Sequence, residues 1–280
     1  MTPNHRMVVH QARPFDGQKK KKPPSIVAAG DLYQRDTIKM AANSGWDGNC
    51  REFFEIPRVF NGTDPSNQVD PLDFSEFLGW YIAEGCCVKY KKKGRGYQVV
   101  IAQTKLDGRD KIRDLVNRLP WNWNESKVGF YTSSKQLWEF LKAFGSSCYN
   151  KIVPSLIRES SVDVIRSFLK GYIAGDGWLE RGFERSATTS RLLADGVQEL
   201  YLKCGKNASI YEKPVSTYQI RGRTGTCVNQ YWVLERNHTP AGLRDSKNKE
   251  NFGPVKYEGM VYCASVPNTT LIVRRGGSPI

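Results

Sequence analysis

The sequence predicts an α+β protein built from two copies of a unit of roughly ninety residues, on three observations. Two segments share one spacing of small and acidic residues: Phe77-Leu78-Gly79-Trp80-Tyr81-Ile82-Ala83-Glu84-Gly85 and Leu169-Lys170-Gly171-Tyr172-Ile173-Ala174-Gly175-Asp176-Gly177. Strand-like runs and helical runs follow each in similar order. The chain before the first copy is irregular, with only short β-leaning patches.

Met7–Val9 is a short β-type run that leads into Lys19-Lys20-Lys21-Lys22-Pro23-Pro24. Four adjacent lysines repel and two prolines cannot pair in a sheet, so this is a linker or exposed loop. Ser25–Ala29 leans toward strand, Phe53–Pro57 closes the region, and the polar, turn-rich stretch Gly62–Asp70 marks a boundary. Asp73 or Ser75 caps a helix through Phe77–Ala83 that Gly85 stops. Val88–Tyr90 and Tyr97–Ala102 read as a hairpin around Lys91-Lys92-Lys93-Gly94-Arg95-Gly96. Leu106–Leu119 is a helix ended by Pro120, Val128–Thr132 a strand, and Ser133 opens a helix to about Phe144. In the second copy Val162–Ala174 is helical and stopped at Gly175 and Gly177; Phe183–Thr188 is a strand and Leu192–Cys204 a helix ended by Gly205. Ser209–Tyr211, Thr217–Ile220 and Val228–Leu234 are strands, with Gly222 and Gly225 turning one hairpin. The expected divisions are 1–65, 70–155, 156–252 and 253–280.

With 39% hydrophobic and 11% aromatic residues, the 280-residue chain can bury substantial cores, which excludes wholesale disorder. No apolar run approaches the roughly 20 residues that span a bilayer, and Pro3, Asn4 and His5 do not begin a signal peptide. Lys and Arg number 42 against 28 acids, a formal charge of +14. Such an excess speaks of partners: nucleic acid first, an anionic membrane surface second. The lysine block lacks the amphipathic Trp/Leu face of a membrane-surface helix, so no membrane partner is expected. The 7 cysteines are odd in number and scattered, without any Cys-x-x-Cys spacing. Neither a zinc site nor a disulfide framework follows, and a reducing, cytoplasmic interior is the expected compartment. With only 3 histidines, any metal is held mainly by carboxylates, which suits a hard ion such as Mg²⁺.

The two matching segments place Gly79 and Ala83, and likewise Gly171 and Gly175, on one face of their helices. Glycine inside a helix costs roughly 0.5–1 kcal/mol against alanine, so the placement needs a compensating close approach of two backbones. If the helices pack on those faces, Glu84 and Asp176 meet at their C-terminal ends. Two adjacent carboxylates repel, and the helix dipole disfavours both, unless a cation lies between them. A paired hard-metal site of this kind suits in-line hydrolysis of phosphodiesters.

These two segments resemble the motifs of the LAGLIDADG homing endonucleases in their double-motif, single-chain form, over about Asp73 to Lys249. The second keeps Leu169, Gly171, Ile173, Asp176 and Gly177; the first keeps Gly79, Ala83 and Gly85, with Glu84 as its acid. The resemblance implies two pseudosymmetric αββαββα halves whose curved sheets form a saddle over the DNA major groove. Glu84 and Asp176, with Gly85 and Gly175 beside them, would hold two or more Mg²⁺ ions where the minor groove passes, and a monomer would cut both strands of a long asymmetric duplex. Asn150-Lys151-Ile152-Val153-Pro154 is similar to the Lys-x-x-Pro block before the second motif, which makes Lys151 a candidate to stabilise transition-state charge. Lys249 sits in roughly the symmetric place, with Lys247 as rival, and Gln103 resembles the polar residue that orients water or metal ligands. The implied DNA contacts are Lys89, Lys91, Lys92, Lys93, Arg95, Gln98 and Lys105 in the first half and Arg181, Arg185, Arg221 and Arg223 in the second. Arginine and glutamine would discriminate bases, and lysine would bind phosphate.

The flanks resemble intein, or Hint, splicing domains. Thr2-Pro3-Asn4-His5 is similar to their Thr-x-x-His block, and Val261-Tyr262-Cys263-Ala264-Ser265 through Arg274 to their penultimate block. The residues implied are Thr2, His5 and Cys263. The chain opens without a Cys or Ser nucleophile and ends without a His-Asn pair, so it should not splice unless an N-terminal intein segment is supplied. The competing expectations are therefore a splicing component active in trans and an RNA-binding maturase.

Overall fold

The computed structural model describes residues 4–10, 25–32, 37–38, 45–59, 65–90, 96–220, 222–236, 241–242, 256–260, 274–275 and 278–279. The chain forms two compact units, Asn43–Arg236 and a smaller one made of Met1–Ala42 with Asn237–Ile280. The first boundary thus precedes residue 65. Trp46 Nε1 donates to the Ser160 carbonyl at 2.8 Å, and Phe54 and Ile56 are buried in the large unit's core. The last boundary falls after Arg236 rather than 252.

In the small unit, β1 (Arg6–His10) pairs with β2 (Ser25–Ala28) and β3 (Thr37–Ile38), all antiparallel. Met7 and Val9, two apart and therefore on one face of β1, are its buried residues. In the large unit β4 (Phe54–Glu55) and β5 (Gln68–Val69) form a short ladder that leads into α1 (Pro71–Glu84).

The cap of α1 is Asp70, not Asp73 or Ser75. The Asp70 carboxylate accepts from the Leu72 and Asp73 amides at 2.9 and 2.8 Å, and Pro71 supplies a pre-set first turn. Ser75 is fully buried, and Asp73 instead pairs with Arg118 at 2.9 Å. After α1 come β6 (Gly85–Lys89), β7 (Tyr97–Ala102), α2 (Leu106–Val116), β8 (Asn124–Ser126), β9 (Gly129–Thr132) and α3 (Lys135–Leu141), capped by Ser134. These strands form an antiparallel sheet in the order β6-β7-β9-β8. Strand β8, a run of three polar residues without alternation, was not expected.

A short α4 (Ser155–Arg158) precedes α5 (Val162–Asp176), β10 (Gly177–Glu180), β11 (Phe183–Thr188), α6 (Arg191–Lys203) and β12 (Asn207–Lys213). The hairpin β13 (Ser216–Ile220) and β14 (Arg223–Cys227) follows, and β15 (Gln230–Arg236) completes a second sheet, β10-β11-β15-β12. Gly175 does not stop α5, which runs on to Asp176 with Gly177 as its cap. Only Gly222, at φ +77°, turns the hairpin; Gly225 lies inside β14 opposite Tyr218. Beyond the large unit, β16 (Ala241–Gly242) pairs with β3, and β17 (Arg274–Arg275) pairs with β18 (Ser278–Pro279).

The two halves share one helix crossing, α1 against α5, at their centre. A Cβ on Gly79 would collide with the Phe168 carbonyl oxygen and lie 2.6 Å from the Tyr172 amide nitrogen. One on Gly171 would collide with the Glu76 carbonyl oxygen and lie 3.0 Å from the Trp80 amide. Each glycine therefore faces the other helix's backbone, the close approach the sequence requires. Phe74, Phe77, Tyr81, Ile101 and Phe130 fill the core of the first half, and Phe168, Tyr172, Val197, Tyr201 and Val233 that of the second.

Candidate active site and nucleic-acid interface

The crossing brings the two acids together. A methyl on Gly175 would come within 2.5 Å of Ala83 Cβ and 3.2 Å of Glu84 Cγ, so the helices touch through their last small residues, just before the carboxylates. Glu84 and Asp176 line one cleft of about 360 Å³ with Gly85, Cys86, Cys148, Lys151, Thr188, Thr189 and Gln230. Burial and the neighbouring Glu84 carboxylate push the Asp176 carboxyl up to about 7, against the opposing pull of Lys151. Burial likewise raises Glu84, offset by Lys105 and Lys151. Two half-buried carboxylates that resist ionisation side by side would both be favoured in their charged form by a cation between them.

Among the described residues no group of three or more His, Cys, Asp or Glu could hold a metal ion. Among the described residues the cleft lining includes two carboxylates, which fits a hard divalent ion that completes its shell with water and phosphate oxygen and does not fit a closed all-protein cage. Gly85 and Gly175, expected beside the ions, have other work. The Gly85 carbonyl accepts from Lys151 at 2.7 Å, and Gly175 is the contact point between helices.

Lys151 departs from its expected role. Its buried ammonium donates to the carbonyls of Tyr81 at 2.9 Å, Ile82 at 2.7 Å and Gly85 at 2.7 Å. All three N–H bonds are thereby spent on the C-terminal end of α1, and none is left for a reacting phosphate. Burial pulls its pKa down, and the Asp176 and Glu84 carboxylates push it back up. It satisfies carbonyls at the C-terminal end of the helix that carries Glu84, joining the Gly85 amide at Tyr81, and its positive charge acts on both acids. Lys151→Met should therefore destabilise the protein by about 2–4 kcal/mol in urea unfolding, since it removes three buried hydrogen bonds and the cation facing two carboxylates. An unchanged midpoint would remove this role.

Gln103 is not brought into the cleft lining. It is buried, with Oε1 accepting from the Lys105 amide at 3.0 Å, and it organises the turn into α2. Lys105 itself is exposed and close enough to influence Glu84. Gln230, like Ser146, Ser147, Thr188 and Thr189, is a polar lining residue that sequence reasoning missed. It is the first residue of β15, and only strand pairing carries it to the cleft, so no local signal could have found it.

Strand register sorts the expected DNA contacts. In the first sheet Val99 and Ile101 face the helices, which puts Gln98 on the open face with its partner Val88. Lys89 pairs with Tyr97 on the opposite side, and its ammonium lies 5.3 Å from that ring's centroid, so it does not belong to the open face. In the second sheet Ser186, Thr188 and Val233 face the helices, and Arg185 falls on the open face. Arg185 is tied down, donating to the Glu235 carbonyl at 2.9 Å and pairing with Glu180 at 3.4 Å. Arg181 is exposed at the β10–β11 turn with φ 53°. Lys91, Lys92, Lys93, Arg95, Arg221, Lys249, Lys247, Thr2 and Cys263 lie outside the described residues, as does the side chain of Arg223. His5 is half-buried, and its carbonyl accepts from Ala29 at 2.7 Å.

Residues 163–235 match the family profile of the LAGLIDADG-like domain. Among curated proteins the chain is similar to an ATP-dependent Clp protease proteolytic subunit of Chlamydomonas moewusii, 24% identical over 227 residues, covering 75% of this chain and 22% of that protein. It is also similar to the DNA-directed RNA polymerase subunit Rpo1C of Methanocaldococcus jannaschii, 29% identical over 151 residues, covering 50% of this chain and 17% of that one. A DNA polymerase of Thermococcus aggregans is 31% identical over 130 residues, 44% of this chain and 7% of the polymerase. The chain thus spans well under a third of each of these relatives. Among solved structures, the homing endonuclease I-DmoI aligns at 18% identity with a TM-score of 0.42, over 59% of this chain and 89% of that one. The N-terminal LAGLIDADG domain of WhiA aligns at 13% identity and 0.37, over 65% and 87%. No helix among the described residues is long and apolar enough to cross a membrane.

Proposed function

We propose that this chain, whose residues 163–235 match the LAGLIDADG-like domain profile, is a divalent-metal-dependent DNA endonuclease that cuts both strands of a long asymmetric duplex as a monomer. The observation that carries the reading is the convergence of Glu84 and Asp176 in one cleft at the ends of two glycine-packed helices. Bound Mg²⁺ would supply a water of lowered pKa and charge stabilisation for the leaving oxygen. The chain's own part is to hold the two carboxylates at a fixed separation, with Lys151 and the glycine contacts preventing either helix end from relaxing. Ala187 and Gln230 are shared by the cleft lining and the open face of the second sheet, so a duplex lying on that face would pass over the acids. The two sheets differ residue by residue, which suits a target whose halves differ in sequence.

The formal charge of +14 favours phosphate neutralisation as the main source of affinity. Duplex binding should fall at least about a hundredfold between about 50 and 200 mM salt, as expected for four or more phosphate contacts. A filter-binding series that stays flat over this range would count against a DNA partner. The primary test of the reading is incubation of a randomised duplex library with the chain and Mg²⁺ and sequencing of the ends. Recurrent ends at one site support it, and an uncut library sinks it.

An embedded, intein-type setting for the nuclease is favoured by one feature of the small unit. Strand β16, which follows the large unit in sequence, pairs with β3, which precedes it. The nuclease is therefore carried as an insertion in a β-structured unit. Splicing activity in trans is tested by adding the N-terminal intein segment and following mass; an unchanged mass sinks it.

A further inference from the structure

The open face of the second sheet carries an exposed aromatic cluster that phosphate binding does not explain. Trp178 pairs with Arg185, and Trp232 with Ala187 and Tyr211, which sets the two tryptophans on the face away from the helices. Their rings meet edge to face, with centroids 5.6 Å apart and an interplanar angle of 82°. Trp178 is 37% exposed and Tyr211 55%. Trp178 stands two residues after Asp176, and Ala187 lines the cleft that holds the acids, so the cluster adjoins the proposed cutting site. Around it stand Arg185, Lys213 and Arg236, the last with its guanidinium anchored to Ser209 Oγ at 3.1 Å.

Large aromatic groups left in water on a basic surface need an apolar partner. Phosphate does not account for the pair, because the rings carry no charge and Trp232 already gives its one donor, Nε1–H, to Gln230 Oε1 at 3.3 Å. Stacking on an unpaired base is also unsuited. In the edge-to-face pair one ring covers the other's flat face, and the Lys213 ammonium lies 5.4 Å from the Trp232 centroid, so little open face is left. What remains is apolar edge, flanked by cations. A duplex major groove offers one matching feature, the C5 methyl of thymine beside phosphate.

We infer that the Trp178–Trp232 pair is a specificity contact that selects A·T pairs in the half-site read by the second half, by packing against thymine methyl groups. The inference rests on the endonuclease reading, with Trp232 as its centre and Trp178 as its support, while Lys213 and Arg236 hold the adjoining backbone.

The test replaces thymine with deoxyuridine, which pairs identically and lacks only the methyl. Duplexes that bind the full chain in the absence of divalent ions are selected from a randomised library. Each thymine of the selected site is then replaced in turn. Wild-type affinity should fall about fourfold for each contacted methyl removed. Trp232→Ala, which has lost the contact, should show no loss at the same positions, and Trp178→Ala should show a reduced one. If Trp232→Ala does not fold, Trp178→Ala on the exposed partner decides alone. Uracil that costs the wild type nothing at any position overturns the inference, as do variants that lose as much as the wild type. Enrichment of a methyl-insensitive site leaves the endonuclease reading standing, whereas a library with no enriched duplex overturns both.

Discussion

Asp176→Asn should lower double-strand cleavage by at least about a thousandfold while leaving duplex affinity nearly unchanged, because the amide keeps the shape and removes the charge that holds the cation. Glu84→Gln should behave alike. Retained cleavage in either variant would sink the assignment of the two acids. The same substitution has a second readout that needs no DNA. In the folded chain the Asp176 carboxyl is raised to about 7 from its ordinary 3.8. Between those values the folded state binds the proton more tightly than the unfolded state, so stability falls as pH rises from about 4 to 7 and is level above. Asparagine has no such proton. In metal-free buffer the variant should therefore gain on the wild type between pH 5 and pH 8, as read by urea unfolding. A gap that is equal at both pH values would mean that the carboxylates are not held in mutual repulsion.

Gly171→Val is the second large effect. A Cβ there collides with the Glu76 carbonyl oxygen and sits 3.0 Å from the Trp80 amide, and both obstacles are backbone that cannot rotate away. The helices must separate, with a loss of at least about 3 kcal/mol in thermal or urea unfolding, and the acids at their ends lose convergence. Gly79→Val meets the Phe168 carbonyl in the same way. Gly175→Ala offers a graded comparison, since its obstacle is the Ala83 methyl at 2.5 Å and the Glu84 side chain. That variant should fold, with weakened cleavage, because the displacement falls on an acid rather than on the core. Cleavage at the wild-type rate in Gly171→Val would show that the crossing does not set the carboxylate separation.

The crossing and both acids were legible in the sequence because a helix writes its contact face at a fixed spacing, and a glycine four residues before a small residue has few other uses. The cap of α1 was misplaced by three residues because Asp70, Asp73 and Ser75 are all able cappers, and only backbone geometry distinguishes them. Strands β8 and β10 were missed because Asn124-Glu125-Ser126 and Gly177-Trp178-Leu179-Glu180 are short and lack an alternating pattern. Lys151 was found by its neighbours in sequence, yet its bonds reach back to Tyr81, Ile82 and Gly85, and no local pattern reports a partner so distant. Lys89, expected among the DNA contacts, falls on the side of Tyr97 for a related reason. The first strand begins at Gly85, and counting from that start sends its side chain toward Tyr97.

The pairing of Ala241–Gly242 with Thr37–Ile38 has a consequence for how such a chain can arise and persist. Because the entry and exit of the large unit are joined at neighbouring strands, its folding leaves the host strands at the separation they would have across a short turn. Closing a loop costs free energy that grows only with the logarithm of its length, so an inserted body that returns its ends to one place taxes its carrier little. A unit joined in this way should keep its own ladder whether residues 43–236 are present or removed, as circular dichroism of a chain lacking them would show. Such tolerance would be a property of the junction, independent of any chemistry in the cleft.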